Sequence, residues 1–287
     1  QVASDSGVVG RSSGGVGTVT VTGVGSGAAA GTPSAWTSTG KLMVGQAGQG
    51  TLNVAAGGKL SSGGGSIGEG ATGVGSAALA GKNTLWSSTG DFHVGENGQG
   101  TLRVENGAAL SSDWTRLGVQ SASQGTATVT GAGSSWTSAS DFTVGVAGKG
   151  TLAVLDGAAL AANGSTTAIG SNQGGEGVVR VADAKLDARL LYVGQEGTGR
   201  LDVEHGGKVT ATIRLAAGLN AGSTGEIRVQ GAGAELVSAN NILVGSSGAG
   251  TLIVDAGGTA HATSEVGIAQ EAGSAGTVHV RGDEIQG

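Results

Sequence analysis

The chain of 287 residues contains no cysteine, a single proline and few aromatic residues, which make up 2% of the total. Without cysteine it forms neither disulfides nor thiolate metal sites, so packing and backbone pairing must stabilise the fold. Charged residues are sparse as well, at 13%. No apolar run approaches the roughly 18 residues that a membrane-spanning helix needs. This composition is unlike that of an ordinary globular core, which depends on Leu, Ile and Phe.

Basic residues are outnumbered, with 15 Lys and Arg against 21 Asp and Glu, for a formal net charge of −6. No basic cluster occurs, which argues against a nucleic-acid partner. The histidines are scattered, without a second ligand at metal-binding spacing and without a nucleophile and carboxylate in a repeated motif: His93, His205, His261 and His279. The sequence therefore predicts no metal site, no cofactor and no enzyme.

Glycine, in contrast, is abundant, with 61 residues, and it takes part in a long repeat. One short segment returns about every fifty residues, as GQGTLNV at 48–54, GQGTLRV at 98–104, GKGTLAV at 148–154, GTGRLDV at 197–203 and GAGTLIV at 248–254. Glycine does not recur at every third residue, which excludes collagen. A period of twenty to fifty residues is typical of a solenoid, in which each unit covers the apolar face of its neighbour.

Each fifty-residue unit divides into two coils of about twenty-five residues, built from short strands separated by glycine turns. Asn106-Gly107 and Asp156-Gly157 are strong turn signals. Parallel stacking of such strands predicts an all-β fold, a right-handed parallel β-helix (solenoid) of about eleven coils. We expect a single β-helix repeat domain over residues 1–287, a rod roughly 50 Å long.

Alternation along the strands assigns the side chains to two faces. The predicted inward columns are Leu42, Phe92, Phe142, Leu191 and Ile242, the valines two residues after each, and Leu52, Leu102, Leu152, Leu201 and Leu252 with the valines two residues after them. The residue between each member of the Leu42 column and the valine that follows it should face water; these residues are Met43, His93, Thr143, Tyr192 and Leu243.

The tryptophans follow the same repeat. One column is spaced by one unit and continues as leucine, through Trp36, Trp86, Trp136, Leu186 and Leu236. Replacement of tryptophan by leucine indicates a position that needs bulk, so we predict an interior or corner-packing ladder rather than a sugar platform. Trp114 lies off this column and is the better candidate for an exposed aromatic residue, with local packing as the alternative.

Charged residues form one notable row. Arg180, Asp202 and Arg228 should lie on the outer face of successive coils, about 5 Å apart in rise. Their alternating sign predicts a surface ion-pair ladder in which each contact contributes less than about 1 kcal/mol.

The only short motif that suggests a receptor is Arg281-Gly282-Asp283, the tripeptide that integrins recognise. It follows a predicted strand at a turn, where exposure is expected. Gly282 is also the turn glycine of the repeat, equivalent to Gly131 and Gly231, so only two residues of the motif lie outside the repeat pattern.

Coils of the form VGxxGxGTLxVxxGGxLxS alternate with coils of the form GTxTVTGxGSxWTxSxxFxVG, most clearly over residues 42–60, 92–110, 126–160 and 242–258. This pattern resembles the passenger region of autotransporter adhesins of Gram-negative bacteria. The resemblance implies a right-handed β-helix that is exported through a C-terminal barrel and remains extracellular, at the cell surface or released. Since the chain shows neither that barrel nor a signal peptide, we expect a fragment of a longer passenger, attached to a membrane only through the missing barrel.

The resemblance and the repetitive exterior predict a non-catalytic module for adhesion or self-association, as in autoaggregation, biofilm formation or host adhesion. Its expected partners are copies of itself on neighbouring cells, or a host-surface protein or glycan. A passive stalk that presents a distal functional head is the alternative. A carbohydrate-active β-helix enzyme is a further alternative, but it would require a line of carboxylates on one outward column, which the sequence does not contain.

Overall fold

The computed structural model describes residues 1–23 and 33–282, in which every regular element is a β-strand. None of these residues forms a helix long and apolar enough to cross a membrane. The strands are β1 Val2–Ser4, β2 Gly7–Val9, β3 Val16–Thr22, β4 Ala35–Val44, β5 Gln49–Ala55, β6 Lys59–Ile67, β7 Val74–Ala80, β8 Leu85–Ser88, β9 Phe92–Val94, β10 Gln99–Glu105, β11 Ala109–Ser112, β12 Thr115–Leu117, β13 Gln124–Thr130, β14 Ser135–Ser138, β15 Phe142–Val144, β16 Lys149–Leu155, β17 Ala159–Ile169, β18 Glu176–Ala182, β19 Lys185–Val193, β20 Thr198–Glu204, β21 Lys208–Ala217, β22 Thr224–Gln230, β23 Glu235–Ser238, β24 Asn241–Val244, β25 Ala249–Asp255, β26 Thr259–Ala262, β27 Val266–Ile268 and β28 Ala275–Val280.

These strands form two parallel sheets that wind around one axis. The eleven-stranded sheet takes one strand from each coil, in the order β3, β5, β7, β10, β13, β16, β18, β20, β22, β25 and β28. The seventeen-stranded sheet takes two segments from each coil, separated by a corner. In β4, β6, β17, β19 and β21 both segments belong to one strand. The predicted parallel β-helix of about eleven coils is confirmed.

The interior is filled by the columns that alternation predicts. All ten residues of the two leading inward columns, from Leu42 to Ile242 and from Leu52 to Leu252, are buried, and so are the valines that follow them. The predicted turn at Asn106-Gly107 is also confirmed, because both residues adopt positive φ, of 57° and 84°. Two successive left-handed residues make a tight turn, which favours Asn-Gly because both residue types tolerate positive φ.

The tryptophan column is interior, as predicted. Trp36, Leu60, Trp86, Leu110 and Trp136 lie opposite one another in successive coils. Trp86 and Trp136 are fully buried and pack edge to face against Phe92, with ring centroids 4.9 and 5.9 Å away. The coils that carry Trp86 and Trp136 are separated by the slimmer coil that carries Leu110.

Alternation of bulky and slim coils explains why the sequence repeats every two coils. An indole is wider than the spacing of about 4.8 Å between neighbouring strands, so it extends over the coil beside it. That coil provides room and a hydrogen-bond acceptor: Trp86 Nε1 donates to Ser62 Oγ, and Trp136 Nε1 donates to Ser112 Oγ, both over 2.9 Å. These serines belong to one column of the stack. Where leucine replaces tryptophan, at Leu186, this column contains alanine, at Ala162 and Ala188.

The prediction that the column from Met43 to Leu243 faces water is partly wrong. His93, Tyr192 and Leu243 are buried, at 8%, 7% and 5% exposure. The second segment of each coil is only about three residues long in most coils, so side chains from the flanking corner and turn cover its central residue. Leu190 and Leu219 pack in this way around Tyr192 and Leu243. Alternation alone does not reveal this cover, because it assigns a side chain to a face and does not show which neighbours lie over it: Leu190 belongs to β19, and Leu219 lies in the turn after β21.

Candidate interaction surfaces

The outer face of the eleven-stranded sheet carries a row of hydroxyl groups. In six successive strands, the third residue is threonine or serine and points outward, and these residues pair directly with one another across the sheet. We call this set the hydroxyl row: Thr18, Thr51, Ser76, Thr101, Thr126 and Thr151. Its hydroxyls follow one another at the strand spacing of about 4.8 Å.

None of these hydroxyls donates or accepts a side-chain hydrogen bond within the part of the chain that the structure describes. Five of the six residues are exposed, and Thr51 is half-buried. Other surface hydroxyls are engaged, such as that of Thr130, which donates to Asp156 Oδ2 over 2.7 Å. The hydroxyl row is therefore a regular array of donors and acceptors directed at solvent.

Beyond the hydroxyl row, the same face becomes charged. Arg180, Asp202 and Arg228 lie opposite one another in successive strands, as predicted. The ion pairs, however, run to residues outside the predicted row. Arg180 pairs with Glu204 over 2.8 Å, while Arg200 pairs with Asp202 over 2.8 Å and with Glu226 over 3.5 Å.

Residues two apart on a strand share a face, which places Arg200, Glu204 and Glu226 beside the predicted row and could have identified them. We call these residues together the charged patch: Arg180, Arg200, Asp202, Glu204, Glu226 and Arg228. Asp202 points outward but is only 8% exposed, because the guanidinium of Arg200 covers it. The patch contains equal numbers of positive and negative groups, so it attracts neither sign of ligand strongly.

A second polar cluster lies on the outer side of the seventeen-stranded sheet, around Glu96. Its Oε2 atom accepts hydrogen bonds from Lys41 over 2.6 Å and from Ser66 over 2.8 Å, and lies 3.1 Å from His93 Nδ1. Lys41 also binds Glu69 over 2.8 Å. Burial by itself would raise the pKa of Glu96, but the bonds from His93, Lys41 and Ser66 outweigh it and lower the pKa to about 2.

This pKa predicts acid sensitivity. Because the pKa of Glu96 is about 2 in the folded chain and 4.5 for an unperturbed glutamate, its stabilising effect is complete above about pH 4.5 and is lost as the pH falls towards 2. Partial exposure limits the effect to about 2 kcal/mol. We expect Glu96→Gln to lower the free energy of unfolding at pH 6 and to reduce its further loss between pH 6 and pH 2.5, measured by urea denaturation.

Glu271→Gln, at an exposed position, serves as the matched control and should leave this pH dependence unchanged. If Glu96→Gln has the same pH dependence as the unaltered chain, the bonds to Glu96 do not stabilise the fold.

The remaining candidate residues do not come together. Trp114 is exposed, at 40%, as expected for a residue off the tryptophan column. Among the described residues, no group of three His, Asp or Glu side chains has the geometry to hold a metal ion. Arg281 and Gly282 are exposed after β28, but Asp283 lies outside the described residues. The integrin-type tripeptide therefore stays a prediction.

No protein-family model matches the chain, and no curated protein matches it. The chain is similar to a TibA fragment, solved as a crystal structure of its hyper-glycosylated form, whose glycosylation is catalysed by TibC. The match covers 98% of this chain and 97% of that chain, at 16% identity and a TM-score of 0.26. At these values, no residue role passes from that protein to this one.

Proposed function

We propose that this chain is a non-catalytic adhesion and self-association module at the surface of a Gram-negative bacterium. Resemblance of its repeats to autotransporter passengers supports the extracellular location. The hydroxyl row is the observation that supports self-association, because its polar groups are regularly spaced, exposed and without side-chain partners among the described residues. The proposed partner is a second copy of the same chain on a neighbouring cell, and a host-surface protein or glycan is the other class of partner.

Two copies fit together when their hydroxyl rows meet antiparallel around a two-fold axis. With the axis between Ser76 and Thr101, Thr126 of one copy faces Thr51 of the other, and Thr151 faces Thr18. The charged patch begins one strand beyond Thr151 and then lies outside the contact. This arrangement brings hydroxyls together, each of which both donates and accepts, without placing charges of like sign opposite each other.

The energies predict that a single pair of rods binds weakly, whereas two surfaces that carry many rods attach strongly. A hydrogen bond contributes only about 0.5–1.5 kcal/mol net, whereas association costs at least about 4 kcal/mol in lost rotation and translation. One pair of rods therefore dissociates readily. Many rods on two facing cells act together, so attachment should depend steeply on their surface density.

Clumping of coated beads tests the proposal. Beads that carry the chain at high density should clump, while uncoated beads mixed among them stay single. The double variant Thr101→Lys and Thr126→Lys should abolish clumping, because it removes two hydroxyls from each row and adds four charges to each contact. Sedimentation of the soluble chain at rising concentration should show the same loss of pairing.

The matched control places the same substitutions elsewhere on the rod. Thr89 and Thr137 are also exposed threonines, but both lie in the part of the coil that the seventeen-stranded sheet and its corners form. Thr89→Lys with Thr137→Lys should clump as the unaltered chain does. Absence of clumping by the unaltered chain, or an equal effect of both double variants, would contradict the proposal.

A further inference from the structure

The corner of the seventeen-stranded sheet contains a concavity of about 290 Å³ that none of the surfaces above includes. Trp114 stands at one end and Arg189 at the other, with Asp141 and Asn163 between them. The floor consists of small residues of the two intervening coils, among them Gly164. We call this concavity the corner site.

Unequal corner lengths build the corner site. The coil with Trp114 has two corner residues between β11 and β12, whereas the next coil has three between β14 and β15. Between paired positions of β17 and β19, Arg189 alone stands opposite the three residues 163–165. The short corners thus hold the two large side chains, and three strand spacings, roughly 14 Å, separate their coils.

The side chains of the corner site have free binding capacity. The indole of Trp114 is 40% exposed, and Arg116 lies over its ring at 5.4 Å from the centroid. Asp141 Oδ1 accepts a bond from the amide of Thr166 over 2.8 Å, which leaves Oδ2 available. Within the described part of the chain, the side chains of Asn163 and Arg189 are exposed and make neither a hydrogen bond nor an ion pair.

We propose that the corner site binds a short acidic oligosaccharide. A sugar ring has an apolar C–H face, which packs on an indole, and a rim of hydroxyls, which bind carboxylate and amide groups such as those of Asp141 and Asn163. A carboxylate-bearing sugar three coils away binds the guanidinium of Arg189 through two parallel hydrogen bonds.

Shape and chemistry favour a sugar over a peptide. The floor of the corner site is small and polar, so it offers no apolar pocket for peptide side chains. The corner site also offers no strand edge to which a peptide could add, because the strands that flank the corner are paired with a neighbouring coil on both sides. The distance from Trp114 to Arg189 exceeds one sugar ring, which explains why the ligand is an oligosaccharide.

Sugar binding rests on the glycan partner named in the proposed function and is separate from self-association, because the corner site and the hydroxyl row lie on different sheets. Each proposal is therefore tested separately, and the failure of one leaves the other standing. Calorimetric titration of the full chain tests this one, with two probes of equal length: a tetrasaccharide of alternating glucuronate and N-acetylglucosamine, and the neutral tetrasaccharide of N-acetylglucosamine alone.

The acidic tetrasaccharide should bind with one site per chain and more tightly than the neutral one. Trp114→Ala should weaken its binding at least about tenfold, which corresponds to about 1.4 kcal/mol. Arg189→Gln should lower the affinity for the acidic probe to that for the neutral probe and leave the latter unchanged. Circular dichroism of each variant checks that the fold is intact.

Two variants serve as controls. Ile213→Ala truncates another exposed apolar residue, in the corner of the coil that follows Arg189, and Arg180→Gln removes a guanidinium from the opposite sheet; neither should change binding. The proposal is overturned if the acidic probe does not bind saturably, if Trp114→Ala binds it as the unaltered chain does, or if the unaltered chain binds both probes equally.

Discussion

Replacing Trp136 with alanine should lower the free energy of unfolding by about 3–5 kcal/mol, since truncation of a large buried aromatic side chain leaves a cavity. Trp136 is fully buried and packs against Phe92 and Phe142, with ring centroids 5.9 and 5.1 Å away. Its loss also removes the indole donor from Ser112 Oγ. Urea denaturation followed by circular dichroism measures the change.

Trp114→Ala is the matched control, because it makes the same substitution at a tryptophan that is 40% exposed. We expect it to cost less than about 1 kcal/mol. Trp136→Leu should lie between the two, since leucine fills the same column at Leu186 and Leu236. Equal effects of Trp136→Ala and Trp114→Ala would contradict an interior ladder that stabilises the rod.

Gly125→Ala should be as damaging as loss of a buried tryptophan, at more than about 3 kcal/mol, although it adds only one methyl group. A glycine is the second residue of every strand in the eleven-stranded sheet. A Cβ atom at Gly125 would collide with the carbonyl oxygen of Val94 and the amide nitrogen of Gly118. Both are backbone atoms, so no side-chain rotation relieves the contact. Thermal unfolding measures the loss.

Gly174→Ala separates this steric effect from backbone strain. Gly174 has a φ of +82°, which disfavours alanine, but no atom lies within 4 Å of its would-be Cβ. We expect a cost of about 1–2 kcal/mol, from the left-handed conformation alone. If Gly125→Ala unfolds at the same temperature as the unaltered chain, the glycines at the second position of these strands are not needed for the close approach of neighbouring backbones.

The interior of the rod was predictable because it repeats. Leu102 and Val104 return in each unit at the same positions, and a parallel stack is the arrangement that buries every copy in the same way. The hydrogen bond from Trp136 to Ser112 also has a signal in the sequence. Where leucine replaces tryptophan, the preceding coil carries alanine instead of serine at that column, with Ala162 before Leu186 and Ala211 before Leu236.

The Glu96 cluster was not predictable from the repeat. Lys41 lies 55 residues before Glu96, on another coil, and neither residue has an equivalent of the same charge in every unit. Glu96 lies in the turn after a short segment, and Lys41 is the first paired residue of β4 after the register shift at its corner, so alternation along a strand does not relate the directions of the two side chains. Burial of His93 has the same origin.

The sequence alone determined the coil, its interior and the number of turns of the solenoid, since these depend on a periodic pattern that recurs in each unit. Tertiary structure decided which exterior groups meet. Corner length differs from coil to coil by one or two residues, as between Trp114 and Asp141 or between Asn163 and Arg189, and these differences set which side chains from distant units share a surface. A repeat carries no information about such differences, because they are the places where the units depart from one another.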